Sequence, residues 1–333
     1  MARILLLLGG ESGERDVSLA SGRACARALA GLGHALTLLD PLSPDEPAAL
    51  EDFPFGDGPR VESPELMQLG PEQVEGLVRG LRQQAPELVF NCLHGGFGED
   101  GRLAGLCELL ALPLSSSPSL ASALAMDKAR TRFWLAGLGI PVAPGRLVPD
   151  GPPLDDNALE ALGAGPWVVK PNRMGSSVGV SIVEDRADMA PTIHAVHQLG
   201  DDALVETYIP GRELTAAWLD GEALPLVEIR PQGGGWYDYR RKYSGGTEYD
   251  CPAAVPGELA ARLQAWTRAL NDSLGCRGAT RTDWRLDPTD RPFCLEINIT
   301  PGMTDKSLVP KAAAARGWTF ADLLERIVAQ ALR

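Results

Sequence analysis

Arg281-Thr282-Asp283-Trp284 and Leu295-Glu296-Ile297-Asn298 are two strand-like runs joined by Asp287-Pro288-Thr289-Asp290-Arg291-Pro292. Along a strand, side chains at i and i+2 share a face, so Arg281 goes with Asp283 and Glu296 goes with Asn298. A simple hairpin centred between Thr289 and Asp290, with no bulge, sets Asp283 opposite Glu296 and Arg281 opposite Asn298. Facing carboxylates repel unless something positive lies between them. Asp283, Glu296 and Asn298 offer oxygen ligands only, which suits Mg²⁺, an ion that takes its remaining ligands from water and substrate phosphates. The hairpin therefore reads as the metal floor of a phosphate-handling site or, on spacing alone, as a solvated acidic pair on an edge hairpin. The rest of the chain decides between the two.

The chain of 333 residues is 44% hydrophobic and only 6% aromatic, enough for two or three domains with their own cores. Its 31 basic and 44 acidic residues give a net charge of −13, which opposes binding to nucleic acid or to an anionic membrane and favours a small-molecule substrate. The apolar run Ile4 to Leu8 stops at Gly9-Gly10, too short for a signal segment, and no stretch approaches the roughly 20 apolar residues of a membrane span. A cytoplasmic protein is expected. The six cysteines at 25, 92, 107, 251, 276 and 294 form no Cys-x-x-Cys pair, so they read as reduced core residues, with neither zinc nor a disulfide framework indicated.

From the N-terminus the pattern alternates strand and helix. Arg3 to Leu8 is an apolar strand, Gly9 to Gly13 a glycine-rich turn, and Glu14 to Ala30 a helix with Val17, Ala20, Ala24 and Ala28 at helical spacing. A second strand covers 35–39, and the Pro- and acid-rich stretch 40–70 reads as a loop. A third strand, 88–92, runs into His94-Gly95-Gly96-Phe97-Gly98-Glu99-Asp100-Gly101, with Asp100 capping a helix that reaches about Leu110. This is a parallel α/β pattern whose ligands sit at the carboxyl ends of strands, where both glycine-rich turns fall. A helix is expected over 120–136, then a linker at 149–157. Strands at 167–170 and 178–184 flank Pro171-Asn172-Arg173-Met174-Gly175-Ser176-Ser177 as a flexible hairpin. A helix over 187–198 and a strand over 203–206 complete a small α+β unit. Residues 207–333 read as mostly antiparallel strands with two long helices, near 257–274 and 318–332.

Lys170 and the loop 172–177 form the best candidate for gripping phosphate, because small residues let backbone N–H groups approach an anion closely while the lysine supplies charge. A Walker A loop is excluded, since here the lysine precedes the glycines and a strand follows. Gly175-Ser176-Ser177-Val178-Gly179 also matches Gly-x-Ser-x-Gly, the turn that carries a hydrolase nucleophile. That reading needs a helix after the serine and a late histidine, whereas the only downstream histidines, His194 and His197, lie on the helix that comes next. Glu14 either complements a helix dipole or, at a strand's carboxyl end, binds a substrate ammonium. His94 reads equally as a structural or a functional histidine, and Lys128, beside Asp127 at a helix start, as a solvated or a functional lysine. Trp236-Tyr237-Asp238-Tyr239 through Lys242-Tyr243 is a dense aromatic and basic loop of the kind that forms lids or interfaces.

Seven stretches in order resemble the D-alanyl-D-alanine ligases of the ATP-grasp superfamily. They are GGESGERDVSLASG (9–22), HGGFGEDG (94–101), ASALAMDK (121–128), VVKPNRMGSSVGVS (168–181), VETYIPGRE (205–213), YDYRRKYSGGTEYDCPA (237–253) and RTDW…LEINITPGMTDKSLVP (281–310). Any one is weak, but seven in sequence are very specific. The resemblance implies an ATP-grasp fold of mixed α/β and α+β class. A parallel-sheet N-terminal domain (1–120) would be followed by a small central lid domain (121–206) and a larger, mostly antiparallel C-terminal domain (207–333). It also implies a cytoplasmic ligase, homodimeric by family resemblance, that supplies peptidoglycan precursors. One D-alanine carboxylate is phosphorylated by ATP, and the amine of a second D-alanine displaces the phosphate.

The site residues implied by the resemblance divide by task. Lys128, Lys170 and Ser177 belong to the ATP phosphates, with Lys242 reaching the γ-phosphate. Glu206, Tyr208 and Ile209 meet adenine, and Glu213 takes the ribose hydroxyls. Asp283, Glu296 and Asn298 carry two Mg²⁺ ions, with Mn²⁺ able to substitute. Glu14 holds the first D-alanine ammonium, with His94 near its carboxylate. Arg281 and the Gly302 N–H face the oxyanion, and Ser307 with the Leu308 N–H face the second carboxylate. Ser176 and Tyr243 hydrogen-bond with Glu14 and lock lid loops over the substrates, which makes Ser176 a positioning residue and not a nucleophile. Ser115-Ser116-Ser117, Ile299 and Lys306 depart from the family's usual pattern. A depsipeptide ligase joining D-alanine to D-lactate, or an ATP-grasp ligase for other amino acids, is the neighbouring alternative.

Overall fold

The computed structural model describes residues 1–55, 69–151, 154–175, 178–231 and 246–333. Strands Arg3–Leu7 (β1), Ala35–Leu39 (β2) and Leu88–Asn91 (β3) form a parallel sheet ordered β2-β1-β3. Parallel neighbours cannot be joined by a tight turn, and helices Arg15–Gly31 (α1) and Pro71–Gln84 (α2) supply the crossovers. Leu5, Leu6, Leu7 and Val89 are fully buried, which is why these strands read as unbroken apolar runs. Gly9 and Gly10 follow β1, Gly95 and Gly96 follow β3, and all four have positive φ. A Cβ at Gly9 would lie 2.5 Å from Asp40 Oδ2, so that turn needs glycine for space as well as for backbone conformation.

One expected helix is preceded by an extra short one and capped differently, and another proves to be broken. Beyond β3 the chain forms Gly96–Glu99 (α3) and Arg102–Leu109 (α4), and the N-cap of α4 is Gly101, not Asp100. Gly101 has φ 92°, and a Cβ there would meet Ser119 O at 2.4 Å. The Asp100 carboxylate instead accepts from Arg102 N at 3.0 Å. The helix expected over 120–136 is Ser119–Met126 (α5) and Lys128–Gly137 (α6), separated at Asp127. Asp127 adopts an extended ψ of 95° and its side chain accepts from Arg130 N, the N-cap bond that satisfies an otherwise orphaned donor. The break gives α6 its own N-terminus, with Lys128 as first residue.

A small antiparallel sheet follows, built from Gly145–Val148 (β4), Trp167–Pro171 (β5), Ser181–Val183 (β6) and Ala203–Thr207 (β7) in the order β4-β7-β5-β6. Helices Asp156–Glu160 (α7) and Met189–His197 (α8) pack on it, so that Leu159, Ile193 and Val196 share a core with Trp167, Val169, Val183 and Val205. The hairpin expected around 172–177 is present as β5 paired with β6. Ser176 and Ser177 at its tip lie outside the described residues, as do the 236–243 loop, Lys242 and Tyr243.

The larger antiparallel sheet comprises Arg212–Leu219 (β8), Glu222–Ala223 (β9), Val227–Pro231 (β10), Thr247–Asp250 (β11), Ala279–Leu286 (β12) and Pro292–Asn298 (β13). Its order is β11-β10-β8-β12-β13, with β9 paired to β8. Strand alternation feeds two cores. Leu214, Ala216 and Trp218 pack with helix Gly257–Leu274 (α9) and with Ala121, Ala125 and Leu135 of α5 and α6. Ala217 and Leu219 face the other way, toward Leu308–Ala315 (α10) and Phe320–Ala331 (α11), in a core continuous with β1, β3 and α1. Helix α10 is an addition to the two long helices expected in this part of the chain. All six cysteines are free thiols, five of them buried.

Candidate active site

Strands β12 and β13 pair with Asp283 opposite Glu296 and Arg281 opposite Asn298, the expected register. The expectation of a hairpin with no bulge is corrected: beyond Asp283 the register shifts, Trp284 pairs with Cys294, and Leu295 is an extra residue on β13. The cause lies in burial. Cys294 is buried in the core with Trp284, whereas Glu296 lines the cleft. Residues two apart in a regular strand share a face, so only an inserted residue lets the strand switch faces between them. Leu295 and Glu296 consequently both line the cleft.

That cleft, about 1030 Å³ with its open mouth included, is lined by residues of both antiparallel sheets. Among the expected site residues, Lys128, Lys170, Glu206, Tyr208, Ile209, Glu213, Arg281, Asp283, Glu296 and Leu308 line it. On the floor, Arg281 makes two bonds to Asp283, from Nε to Oδ1 and from Nη2 to Oδ2, each 2.8 Å. Asn298 Nδ2 donates to Asp283 Oδ2 at 3.0 Å. The positive charge that facing carboxylates require thus comes from the protein itself, with Arg281 on Asp283 and Lys128 Nζ 3.4 Å from Glu296. The same donor set fits Mg²⁺: two carboxylates and an amide, all oxygen ligands, with further ligands left to phosphate and water. Among the described residues no cluster of three or more His, Cys, Asp or Glu side chains is suited to a metal.

Lys128 is not a solvated lysine. It is 8% exposed, and its Nζ donates to Met174 O at 2.7 Å, tying the start of α6 to the β5–β6 loop. Asn172 anchors the same junction, its Oδ1 accepting from Ala129 N at 2.8 Å. Lys170 Nζ lies 2.6 Å from Glu206 Oε2, and Arg132 pairs with the other carboxylate oxygen. A carboxylate so buried requires compensating charge, and Glu206, 5% exposed, has a cation on each oxygen. Arg285 donates to Ile209 O at 3.1 Å, to Glu213 Oε2 at 3.3 Å and to Tyr208 Oη at 3.3 Å.

The N-terminal loops approach the same region. Glu14 is the N-cap residue of α1 and makes no side-chain cap bond. A Cβ on Gly95 would lie 3.0 Å from Glu14 Oε2, and one on Gly175 only 2.7 Å. The Glu14 carboxylate therefore sits where two glycine-rich loops come close. His94 is buried: Nδ1 lies 2.8 Å from Thr300 O and Nε2 lies 3.1 Å from Ser21 Oγ. Because a carbonyl only accepts, Nδ1 carries the proton and Nε2 accepts from the serine. Burial holds the imidazole pKa below its usual value, against the opposing pull of Glu14. Both ring nitrogens are thus engaged by the protein. Ser21 Oγ also accepts from Met303 N at 3.2 Å, linking α1 to the 300–303 segment. Glu99 Oε2 accepts from Gly95 N at 2.8 Å. Burial, reinforced by the neighbouring charge of Glu14, pushes the Glu99 carboxyl up to about 8.

Ser307 is the N-cap of α10, in extended conformation, and its Oγ accepts from Thr304 N at 3.0 Å. A Cβ at Gly302 would stand 3.1 Å from Ser307 Oγ, so the oxyanion and second-carboxylate candidates adjoin one another. Sequence reasoning missed Arg132, Arg285, Glu99 and Ser21. Two of these carried a local signal: Arg132 is four residues after Lys128 on one helix face, and Arg285 is two after Asp283 on one strand face. Ser21 and Glu99 had none, because their partners Thr300, Met303 and Glu14 are brought near by the fold.

Known proteins are similar to this chain over nearly its whole length. Residues 3–117 match the family model described as D-ala D-ala ligase N-terminus, and residues 137–329 match D-ala D-ala ligase C-terminus. The D-alanine–D-alanine ligase of Paramagnetospirillum magneticum is 41% identical, covering 99% of this chain and 98% of its own. The ligase of the same name from Gluconobacter oxydans is 39% identical over 99% of each chain. Among solved structures, the D-alanine–D-alanine ligase of Bacillus anthracis complexed with ATP superposes with a TM-score of 0.79 at 27% identity, covering 100% of this chain and 98% of that one. The fold is that of the ATP-grasp ligases, a parallel three-stranded sheet followed by two antiparallel ones. With both halves matched in order and full-length relatives near 40% identity, the chain belongs to the D-alanine–D-alanine ligase family.

Proposed function

We propose that this chain joins two D-alanine molecules at the expense of ATP, supplying the dipeptide for peptidoglycan precursors. The observation that carries the reading is one cleft lined by buried Lys128 and Lys170, the facing pair Asp283 and Glu296, and a wall of Tyr208, Ile209 and Glu213. In this reading the γ-phosphoryl group passes to a carboxylate oxygen of the first D-alanine and ADP leaves. The amine of the second D-alanine then attacks the acyl carbon, the C–O bond to phosphate breaks, and the amine's proton is lost to solvent or base. Lys128 and Lys170 neutralise the triphosphate, joined by Ser177 and Lys242, while Glu206, Tyr208 and Ile209 meet the base and Glu213 the ribose. Magnesium, held by Asp283, Glu296 and Asn298, would neutralise charge on the phosphoryl group as it transfers.

Glu14 holds the first ammonium, with Ser176 and Tyr243 bonded to it as closing elements. Arg281 and the Gly302 N–H stabilise the tetrahedral oxyanion, and Ser307 with the Leu308 N–H orients the second carboxylate at the start of α10. His94, expected near the first D-alanine's carboxylate, has both ring nitrogens engaged by Thr300 O and Ser21 Oγ, so its role is reassigned to holding the 300–303 segment against α1. Closure over the substrates excludes water, which would otherwise hydrolyse the acyl phosphate. Exposed Leu109, Leu120 and Phe133 lie on the mutually packed α4, α5 and α6 and offer apolar surface to a second copy, in keeping with a homodimer. No helix among the described residues is long and apolar enough to cross a membrane, which suits a cytoplasmic enzyme. Phosphate release with D-alanine, ATP and Mg²⁺, followed by product analysis with D-lactate also present, tests the assignment. D-Alanyl-D-alanine as the main product at neutral pH is expected, and mainly depsipeptide would overturn it.

A further inference from the structure

The side chains of Arg281, Asp283 and Arg285 all line the cleft, as alternation along β12 requires. The first two belong to the reaction centre, and Arg285 has no part in it. It is nonetheless 7% exposed, and its guanidinium holds three acceptors: Ile209 O at 3.1 Å, Glu213 Oε2 at 3.3 Å and Tyr208 Oη at 3.3 Å. Its Cζ also stands 5.6 Å from the centroid of the Tyr208 ring. Arg285 and Glu213 are direct cross-strand partners on β12 and β8, so the backbone itself sets their approach. One planar fork therefore fixes the carboxylate expected at the ribose together with the ring and carbonyl expected beside the base. A planar guanidinium can do this where a single ammonium cannot.

We infer that Arg285 is the positioning residue for nucleotide recognition, and that through Glu213 it sets the preference for ribose over 2′-deoxyribose. The inference rests on the reading of this cleft as the ATP site. Discrimination against a missing hydroxyl depends on an acceptor held in place to meet it. With Arg285 removed, Glu213 loses that support and can turn toward water. A strut that merely joined β12 to the 208–213 segment would alter stability without altering which nucleotide is preferred.

The test is steady-state kinetics with ATP and with 2′-deoxyATP on the full chain and on Arg285→Met and Arg285→Lys. The parent should favour ATP clearly. In Arg285→Met, kcat/KM for ATP should fall about tenfold, the loss of one charge-assisted hydrogen bond. Its value for 2′-deoxyATP should change far less, and the KM for D-alanine should not move. Arg285→Lys retains charge beside Glu213 and should recover part of the ATP preference; it carries the test alone if the methionine variant fails to fold. An unchanged ATP to 2′-deoxyATP ratio in the variants, with or without a lowered melting temperature, overturns the inference, as does a parent indifferent to the 2′-hydroxyl. A parent that does not saturate with ATP at all would instead overturn the reading of the cleft.

Discussion

Glu206 and its two cations allow a prediction that separates stability from binding. The carboxylate is 7% exposed, with Lys170 Nζ 2.6 Å from one oxygen and Arg132 on the other. Lys170→Met leaves Glu206 with Arg132, so the charge stays compensated and only one oxygen loses its partner, a cost of about 1–3 kcal/mol. Glu206→Gln strands two cations whose side chains are 10% and 15% exposed. Stripping the counter-charge from a buried pair costs about 3–5 kcal/mol, so this variant should be the less stable, even though the substitution is nearly isosteric. The double variant Lys170→Met/Glu206→Gln should be milder than the sum of the two, with a coupling of about 1–3 kcal/mol. Thermal melts with and without ATP and Mg²⁺ read both quantities. ATP should raise the parent's melting temperature, because it binds the native state alone. That rise should largely vanish in Lys170→Met and survive in Glu206→Gln, where Lys170 still meets the triphosphate. A Glu206→Gln protein more stable than Lys170→Met, or a Lys170→Met protein with the parent's full ATP-induced rise, would refute the reasoning.

Three further outcomes are expected. Arg281→Ala should keep the fold and lower kcat about 10²- to 10³-fold, the typical loss of an oxyanion donor; turnover within a factor of three would remove Arg281 from that role. Glu99 gives a pH test. Its folded pKa is raised to about 8 by burial and by Glu14, so the native state binds the extra proton. The stabilisation is complete below its unfolded value near 4.5 and is lost as pH rises toward 8. Glu99→Gln, which keeps an acceptor for Gly95 N, should flatten that fall, and equal slopes of stability against pH in the two proteins would dismiss it. Deleting Leu295 removes the bulge while keeping Glu296 opposite Asp283 and Cys294 beside Trp284. The variant should fold and retain turnover, with KM for ATP raised about tenfold by the lost apolar contact. Complete loss of turnover at saturating ATP would show that the bulge also sets the carboxylates.

The hairpin at 281–298 illustrates both the reach and the limit of local rules. Period-two alternation put Arg281 with Asp283 on one face, but the turn is centred on Thr289 rather than between Thr289 and Asp290, and Asp283 stands opposite Glu296 because the bulge makes up the difference. The bulge at Leu295 escaped them, because it answers to the demand that Cys294 be buried while Glu296 faces the cleft, and burial is a property of what packs above the strand. The broken helix shows the same division. Asp127 followed three residues later by an N–H donor is an N-cap in any helix that begins there. That the helix start at Lys128 brings its ammonium to Met174 and Glu296 is decided only when α6 meets the β5–β6 loop.

Local sequence therefore specifies the set of elements and chemical types. It contained the parallel strands with glycine turns at their carboxyl ends, the antiparallel hairpins, and the order of motifs that names the family. These follow from periodicity, backbone allowance and local spacing, which act over a few residues. Tertiary structure alone decided the pairing of charges: Arg132 and Lys170 on Glu206, Arg285 on Glu213, and the His94 ring between Ser21 and Thr300. Those partners lie 36 to 206 residues apart in the chain. No local propensity encodes them. They arise because a buried charge or ring nitrogen must find a partner in whatever the packed cores bring near.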